Sequence, residues 1–344
     1  MIIVRETHAR MGLMGNPSDG FGGKTITVQI EQFRAATTLW ESPQLEIMPH
    51  PQHDPFRFGN LAELHRIAET DGYYGGTRLI YASCKRFHEY CRDAGLPLRD
   101  ANFTVSYETD IPRQVGLGGS SAIVVSTLRC LMDFHGVTDE NIPKPLQPQL
   151  ALSVEQDELE IRAGLQDRVA QVYGGLVYMN FDRDYMAEHG HGDYRALPLD
   201  LVPDLYLAHI SHSTVTSGRA HNPIHYRFAN GDREVIAAMR QFAEYAEEAL
   251  GVLQARDYRR LGELMDANFD LRRRIYGDEA IGASNLEMVA LARSFGLPAK
   301  FTGSGGAVVG ILWPDSPVAE IERAFTERGY RFMRATPISS DRAG

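Results

Sequence analysis

Three short segments of the chain combine glycines with residues that can bind a charged ligand. The most informative is 112–122 (PRQVGLGGSSA), where three glycines and two serines are followed at once by an apolar helical pattern. Such a turn lets the backbone approach a ligand closely, and the N–H groups at the beginning of a helix favour phosphate. A serine-capped loop without a ligand has the same composition, so this segment alone leaves both interpretations open.

Two common nucleotide-binding loops are excluded for this segment. A Walker A loop needs the pattern GxxxxGK[ST], which does not occur, and no lysine lies in the turn. The dinucleotide fingerprint GxGxxG is absent here as well.

The other two glycine-rich segments lie towards the ends of the chain. Residues 300–307 (KFTGSGGA) run directly into an apolar stretch, and on their own predict a tight turn. Residues 9–24 (ARMGLMGNPSDGFGGK) include Arg10, Asp19 and Lys24, which can bind a phosphoryl group or sugar hydroxyls. An Asx-type turn at Asn16–Asp19 is the structural alternative for this segment.

Two carboxylates are candidates for a shared site. Asp167 lies in the segment 163–168 (AGLQDR), and Glu155 precedes it by twelve residues on a predicted helix. That spacing does not put both on one helix face. However, Gly164 breaks the helix, so a turn can bring the two together. Each carboxylate alone is equally typical of a solvated helix.

The elements that must position these residues follow from hydrophobic periodicity. Alternating β-branched residues predict strands at 25–30 and 103–108, and a polar stretch at 182–200 suggests a boundary between two halves. Helices are predicted at 77–94, 121–135, 149–162, 232–256, 257–275, 283–295 and 316–328, and further strands at 204–210, 306–313 and 329–335. This mixture predicts an α+β protein with two domains, 1–185 and 186–344.

Composition limits the function classes. A net charge of −10 and a pI near 5.7 argue against nucleic acid as a partner. No apolar run reaches the roughly 20 residues that cross a membrane, and the first residues do not resemble a signal peptide, so we expect a cytoplasmic protein. Cys84, Cys91 and Cys130 have no paired spacing and are predicted to be free thiols. His189 and His191 lack the helical spacing of zinc proteases, which disfavours a metal hydrolase.

Taken in chain order, the three glycine-rich segments resemble the three motifs of the GHMP kinases (galactokinase, homoserine kinase, mevalonate kinase and phosphomevalonate kinase). Residues 112–122 match the PxxxGLxSSA nucleotide loop, 10–23 resemble the substrate motif, and 300–307 resemble the C-terminal glycine motif. The resemblance implies an N-terminal nucleotide-binding lobe and a C-terminal ferredoxin-like lobe. It also implies ATP and Mg²⁺ as cofactors, a small-molecule acceptor, and a monomer or homodimer.

The resemblance further implies roles for individual residues. Asp167 corresponds to the catalytic aspartate, with Arg10 beside the reacting hydroxyl, and Ser121 (or Ser120) and Glu155 would hold Mg²⁺. The nucleotide-binding residues would be Pro112, Val115, Gly116, Leu117, Gly118, Gly119, Ser120, Ser121 and Ala122. The substrate-binding residues would be Asn16, Ser18, Asp19, Tyr74, Arg168, Gly303, Ser304 and Gly305.

Within the family, several stretches are most similar to the plant glucuronokinases, which implies phosphorylation of the anomeric hydroxyl of D-glucuronate. These stretches are 15–25, 73–87, 112–124, 268–282 and 299–309. Galactokinases have Glu-His where this chain has Asn16-Pro17, which disfavours galactose. The run Asp270–Arg274 offers cations for a uronate carboxylate, or is a solvated helix face. Galacturonate, a heptose 7-phosphate and a non-catalytic GHMP-fold protein remain alternatives.

Overall fold

The computed structural model describes residues 1–71, 75–211 and 222–339. The first half is built on a long antiparallel hairpin of β1 (Ile2–Met14) and β2 (Lys24–Glu41). The chain between the two strands contains a single 3₁₀ turn, Ser18–Phe21. This turn carries Asp19, so the hairpin determines where that carboxylate lies.

The hairpin is the centre of a six-stranded sheet. β3 (Glu46–Ile47) runs parallel to β4 (Phe103–Thr109), and β4 pairs with the C-terminal half of β2. β5 (Leu176–Asn180) pairs with the N-terminal half of β2, and β6 (Asp193–Leu197) pairs with β5. The eighteen residues of β2 therefore organise the whole sheet.

Helices cover this sheet. One of them begins within the glycine-rich segment 112–122 and packs on the sheet. In chain order the helices are α1 (Leu61–Asp71), α2 (Thr77–Asp93), α3 (Gly119–His135), α4 (Gln147–Ser153), α5 (Leu165–Tyr173) and α6 (Arg183–His189). Helix α3 packs on β1 and β2 and is apolar on nearly all sides, with Val124 and Cys130 inaccessible to solvent. Burying apolar side chains of this size contributes roughly 1.5–3 kcal/mol each, which holds the N-terminus of α3 in place.

The second half has its own antiparallel sheet of four strands, in the order β10-β7-β9-β8. Its elements are β7 (Leu205–Ile210), α7 (Asn222–Ala229), α8 (Arg233–Ala255), α9 (Tyr258–Tyr276), α10 (Asp278–Ile281), α11 (Ala283–Ser294), β8 (Lys300–Phe301), β9 (Ala307–Ile311), α12 (Val318–Thr326) and β10 (Tyr330–Ala335). Helices α9, α11 and α12 bury Phe269, Met288 and Phe325 in a common core with this sheet. The predicted α+β fold of two lobes is confirmed.

Two stretches differ from the sequence prediction. The helix predicted at 149–162 ends at Ser153, and a π-helical turn follows at Val154–Glu158. The polar stretch 182–200 forms α6 and β6 rather than a linker, and β6 still pairs with β5. The proposed division at 185/186 therefore falls inside α6, and strand pairing favours a division after Leu197.

In the ranges given above, no helix is long and apolar enough to cross a membrane.

Candidate active site

Arg10, on β1, joins all three glycine segments. Its side chain is 3% exposed, and its Nε donates a 2.7 Å hydrogen bond to Oδ1 of Asp167 on α5. Its Nη1 donates to the carbonyl oxygens of Gly116, at 2.7 Å, and Thr302, at 3.1 Å. One guanidinium thus orients the predicted catalytic carboxylate and ties it to the second glycine loop (residues 112–118) and the third glycine loop (residues 302–306).

The second and third glycine loops pack directly on each other. The hydroxyl of Thr302 donates to the carbonyl of Gly116 at 2.9 Å. Gly116 has φ +71°, and a Cβ added there would lie 2.9 Å from the backbone nitrogen of Ser304. Only glycine satisfies both the left-handed conformation and this close approach, so the contact between the loops explains the residue type at position 116.

Helix α3 begins with its N-terminus at this junction. Its N-cap is Gly118 in the left-handed conformation, without a side-chain cap, so the expected serine cap is wrong. Gly119, Ser120 and Ser121 form the first turn, whose N–H groups have no acceptor within the helix. These N–H groups and the positive end of the helix dipole can bind a phosphate.

The apolar members of the predicted nucleotide set anchor the loop. Val115, Leu117 and Ala122 are each at most 1% exposed, whereas Pro112 is half-buried. The carbonyl of Leu117 also accepts a hydrogen bond from the backbone N–H of Arg10 at 3.2 Å. Their burial therefore holds the backbone of residues 116–119 in its turn.

The π-helical turn places Glu155 against the beginning of α3. Glu155 is 1% exposed and accepts a 2.8 Å hydrogen bond from the hydroxyl of Ser120. The hydroxyl of Ser121 instead donates to the carbonyl of Gly118 at 3.0 Å, and this side chain is fully buried. Of the two serines expected as metal ligands, Ser120 is therefore the one whose hydroxyl faces the carboxylate in this structure.

Arg168 brings the two candidate carboxylates together. Its Nη2 forms an ion pair with Glu155, and its Nη1 lies 3.8 Å from Oδ2 of Asp167. Nη1 also donates to the carbonyl of Gly164 at 2.8 Å, and the residue is only 3% exposed. Arg168 therefore lies between the two carboxylates in the protein interior and holds them apart. Its burial does not favour the predicted contact with substrate. Asp167 remains 24% exposed.

Asp19 lies beside Asp167 at the entrance to the same region. Burial is the main reason that the pKa of Asp19 rises to about 6, and the negative charge of Asp167 raises it further, whereas Arg10 lowers it. A Cβ on Gly164 would collide with the Asp19 carboxylate. The absence of a side chain at position 164 is thus what lets this carboxylate approach α5.

Other predicted substrate residues bind the protein itself. The amide of Asn16 donates to the carbonyl of Phe301 at 3.3 Å and accepts from Lys300, and the hydroxyl of Ser18 donates to the carbonyl of Lys24 at 3.0 Å. Both side chains are buried. Through these contacts they shape the first glycine loop (residues 15–23). Tyr73 and Tyr74 lie outside the described residues.

One of the three arginines in the run 270–274 reaches the site. Arg272 donates to the carbonyls of Gly303, at 2.7 Å, and Ser304, at 3.2 Å, and its guanidinium lies 4.8 Å from the ring centre of Phe301. Burial lowers the pKa of Arg272. Arg273 pairs with Asp278 on the surface, and Arg274 is exposed. Arg272 therefore supports Gly303, Ser304 and the left-handed Gly305.

A cavity of about 530 Å³ opens next to the second glycine loop. It is lined by residues 49–58, by α1 and the beginning of α2, and by Arg113. Asp54 holds its wall, because its carboxylate accepts hydrogen bonds from the hydroxyl of Tyr107 at 2.6 Å and the backbone N–H of Thr77 at 3.0 Å. The cavity is large enough for a planar ring system, and it shares Arg113 with the second glycine loop.

Comparison with known proteins identifies the family. The profile for the GHMP kinases N terminal domain matches residues 78–175, and that for GHMP kinases C terminal matches 246–331. Glucuronokinase 1 of Arabidopsis thaliana is 46% identical over 315 residues, which cover 92% of this chain and 86% of that protein. Probable glucuronokinase 2 of the same plant is 48% identical over 317 residues, with the same two coverages.

The chain belongs to the GHMP kinase family.

The fold of this GHMP kinase agrees with that of solved members. The mevalonate kinase of Methanococcus jannaschii superimposes with a TM-score of 0.72 at 17% identity, over 98% of this chain and 99% of that one. Together with the relatives, this family membership makes the chain a phosphotransferase that uses ATP and a hydroxyl acceptor.

The site of this GHMP kinase fits Mg²⁺ in the chemistry of its donors. The hydroxyl of Ser120 and the carboxylate of Glu155 are oxygen ligands 2.8 Å apart. Mg²⁺ is commonly held by one or two protein oxygens and takes its other ligands from phosphate and water. Among the described residues, no group of three or more His, Cys, Asp or Glu is arranged to hold a metal.

Sequence reasoning missed three polar residues that hold the site of this GHMP kinase together. They are Lys300, Asn268 and Gln171, and each is at most 1% exposed. Gln171 donates to the carbonyl of Gly118 at 2.7 Å. Asn268 lies on a largely apolar helix face, next to Leu264, Met265 and Leu271, and a polar residue in such a position is a signal in the sequence that points to it. Gln171 follows Asp167 and Arg168 by four and three residues on α5, so it lies on the same helix face as the predicted catalytic segment.

Proposed function

We propose that this GHMP kinase transfers the γ-phosphoryl group of ATP to the anomeric hydroxyl of D-glucuronate, giving D-glucuronate 1-phosphate and ADP. The reaction type is supported above all by Asp167, which Arg10 holds at the junction of the two glycine loops. The acceptor is supported by 46–48% identity to two proteins named as glucuronokinases over 92% of the chain.

Asp167 is the proposed base. It is partly exposed, and both its contact with Arg10 at 2.7 Å and its proximity to Arg168 restrict its rotation. As the sugar oxygen bonds to the γ-phosphorus, the hydroxyl proton passes to the Asp167 carboxylate. The bond between the γ-phosphorus and the β–γ bridging oxygen breaks, and ADP leaves with that oxygen. Phosphoryl transfer depends mainly on such alignment and on charge neutralisation.

The first turn of α3 is the proposed phosphate site. Its N–H groups and those of the glycine loop supply donors for the phosphate oxygens, and the neighbouring cavity of about 530 Å³ would receive the rest of the nucleotide. Ser120 and Glu155 would hold Mg²⁺, which neutralises phosphate charge when it is bound. The role of Ser121 is to close the turn through Gly118.

Asp19 is the proposed acceptor of hydrogen bonds from the sugar. It is ionised above its pKa of about 6 and lies close enough to Asp167 for the two charges to interact. A carboxylate accepts hydrogen bonds from two neighbouring hydroxyls at once. With Asp19 in this role, the sugar ring would lie between the first glycine loop and α5.

We expect the enzyme to work in the cytoplasm. The three cysteines are free thiols in the structure, which suits a reducing cytoplasm. A monomer and a homodimer both remain compatible with the chain.

Release of ADP with Mg-ATP should be measured against a panel of acceptors. The panel contains D-glucuronate, D-galacturonate, neutral hexoses, a heptose 7-phosphate, homoserine and mevalonate. Turnover mainly with D-glucuronate, with phosphate at C1 of the product by NMR, is the expected result. Turnover mainly with a neutral sugar or sugar phosphate would overturn the acceptor and keep the kinase, whereas no turnover with any acceptor would favour a ligand-binding protein.

A further inference from the structure

Lys300 is a buried lysine between the two halves of the molecule. It is 1% exposed and lies on β8, at the beginning of the third glycine segment. Its Nζ donates hydrogen bonds to the carbonyl of Gly12 at 2.8 Å, the side-chain oxygen of Asn16 at 2.6 Å and the carbonyl of Phe301 at 2.6 Å. Two of these acceptors belong to the first half of the chain and one to the second.

The second half of the chain contacts both the side chain and the backbone of Asn16. Its amide nitrogen donates to the carbonyl of Phe301 at 3.3 Å, and its backbone carbonyl accepts from Asn268 on α9 at 3.1 Å. Asn268 also accepts from the backbone N–H of Gly15 at 2.9 Å. The beginning of the first glycine loop is therefore attached to β8 and α9 rather than to its own hairpin alone.

The contacts of Lys300 keep a charged amine buried, which costs desolvation free energy. Within the described ranges, no carboxylate lies within 4.0 Å of Nζ of Lys300, and its three acceptors are all neutral. Burial and the charges of Arg272 and Arg10 lower the pKa of Lys300. Three donated hydrogen bonds nevertheless require the protonated amine. Methionine would fill the space but would leave three buried oxygens without the donor they have here, so the lysine is what joins these three acceptors.

We propose that Lys300 is a positioning residue, which holds the first glycine loop so that Asp19 faces Asp167. Asn16 lies three residues before Asp19, and Lys300 and Asn268 determine where that loop begins. The inference rests on the proposed function only in taking Asp19 as a contact of the acceptor. It assigns to the second half of the chain a direct influence on acceptor binding.

The test compares Lys300→Met and Asn16→Ala, singly and combined, with wild-type enzyme. Lys144→Met is the matched control, because Lys144 is exposed and contacts only the ring of Tyr173 among the interactions described. KM for the acceptor, KM for ATP and kcat are measured, together with the melting temperature. Asn16→Ala removes a single acceptor of Lys300, so it remains testable if Lys300→Met does not fold.

The expected result is a rise of about tenfold or more in KM for the acceptor in each single variant, with KM for ATP changed less than about twofold. Because both variants release the same loop, the double variant should be no worse than the poorer single one. Equal rises in both KM values, or a lower melting temperature with both KM values unchanged, would overturn the inference.

Failure of this inference is distinguishable from failure of the proposed function. If wild-type enzyme phosphorylates an acceptor other than D-glucuronate, the same variants are measured with that acceptor, and the positioning role is judged on its KM. If wild-type enzyme has no turnover, binding of D-glucuronate by calorimetry replaces KM. Unchanged affinity in Asn16→Ala would then overturn the role of the contact.

Discussion

At the scale of single residues, the site depends on charged groups that are buried together. Arg10 makes hydrogen bonds to one carboxylate and two carbonyl oxygens, and hydrogen bonds to charged groups contribute roughly 1.5–3 kcal/mol each. Arg168 acts in the same way between Glu155 and Asp167. Contacts within the protein therefore orient the acidic groups, and fixed orientation of the reacting groups favours phosphoryl transfer.

The first prediction concerns Asp167. Replacement with asparagine keeps the shape and removes the proton acceptor, so kcat should fall about 10²–10⁴-fold. Binding of a non-hydrolysable ATP analogue, measured by calorimetry, should stay within about threefold of wild type, because the proposed phosphate site lies on α3 rather than at Asp167. Asp139→Asn, an exposed acid on the surface, is the control. Near-normal turnover of Asp167→Asn would remove the assignment of the base.

The second prediction concerns Asp19 and pH. Its folded-state pKa of about 6 exceeds the ordinary value of 3.8, so the folded protein holds this proton more tightly than the unfolded chain does. The stability that the protonated group contributes is lost as the pH rises through about 6. Asp19→Asn should therefore be more stable than wild type at pH 8, by roughly 1–2 kcal/mol, and this advantage should shrink towards pH 4.

Thermal unfolding of both proteins from pH 4 to pH 8 checks this expectation. Asp315→Asn, at an exposed position, should show no such pH-dependent difference from wild type. If Asp19→Asn is less stable than wild type at pH 8, burial does not raise the pKa of Asp19 as expected. The turnover of Asp19→Asn should be lower than that of wild type whatever its stability.

At the scale of elements, the π-helical turn Val154–Glu158 decides which serine meets the carboxylate. A π-helical turn closes hydrogen bonds between residues five apart instead of four, and it commonly occurs at functional positions. Here it directs Glu155 towards Ser120, while Ser121 stays inside the first turn of α3.

The third prediction uses these two serines as a matched pair. Ser120→Ala should raise the Mg²⁺ concentration for half-maximal activity by about tenfold, because it removes a partner of Glu155. Ser121→Ala should change that concentration less than about twofold, since its hydroxyl is bound to Gly118. Titration of activity with MgCl₂ at constant ATP measures both. A larger effect in Ser121→Ala would restore Ser121 as the metal ligand.

At the scale of the whole molecule, the site is assembled from both halves of the chain. Besides the side-chain contacts, the backbone N–H of Gly12 donates to the carbonyl of Thr302 at 2.9 Å. The first sheet and the second sheet therefore meet through backbone as well as through Arg10, and each half alone would lack part of the site.

The fourth prediction follows from this assembly. A non-hydrolysable ATP analogue with Mg²⁺ and the acceptor should slow amide hydrogen exchange in residues 116–121 and in residues 303–306 together, since ligand binding at the junction opposes local opening of both loops. Hydrogen-exchange mass spectrometry measures this, with the exposed surface of α12 as an internal control. Protection confined to one of the two loops would contradict a site shared by the halves.

Local sequence patterns predicted many of the elements and the chemical groups of the site. Hydrophobic periodicity predicted strands of both sheets and most of the long helices, but not β3, β5, β6 or β8. The glycine and serine segments predicted the phosphate loop and the family. These signals are local and depend only on neighbouring residues. The carboxylates Asp19, Glu155 and Asp167 were identified in the same way, from their residue type and motif.

Contacts between these groups could not be predicted from the sequence. Arg10 and Asp167 are 157 positions apart, and Asn16 and Lys300 are 284 apart, so no local pattern relates them. The choice of Ser120 over Ser121 depends on a π turn that periodicity does not reveal, and the burial of Arg168 and Arg272 depends on how the two halves pack. Contacts of this kind depend on the packing of distant segments, which is why they became visible only in the folded chain.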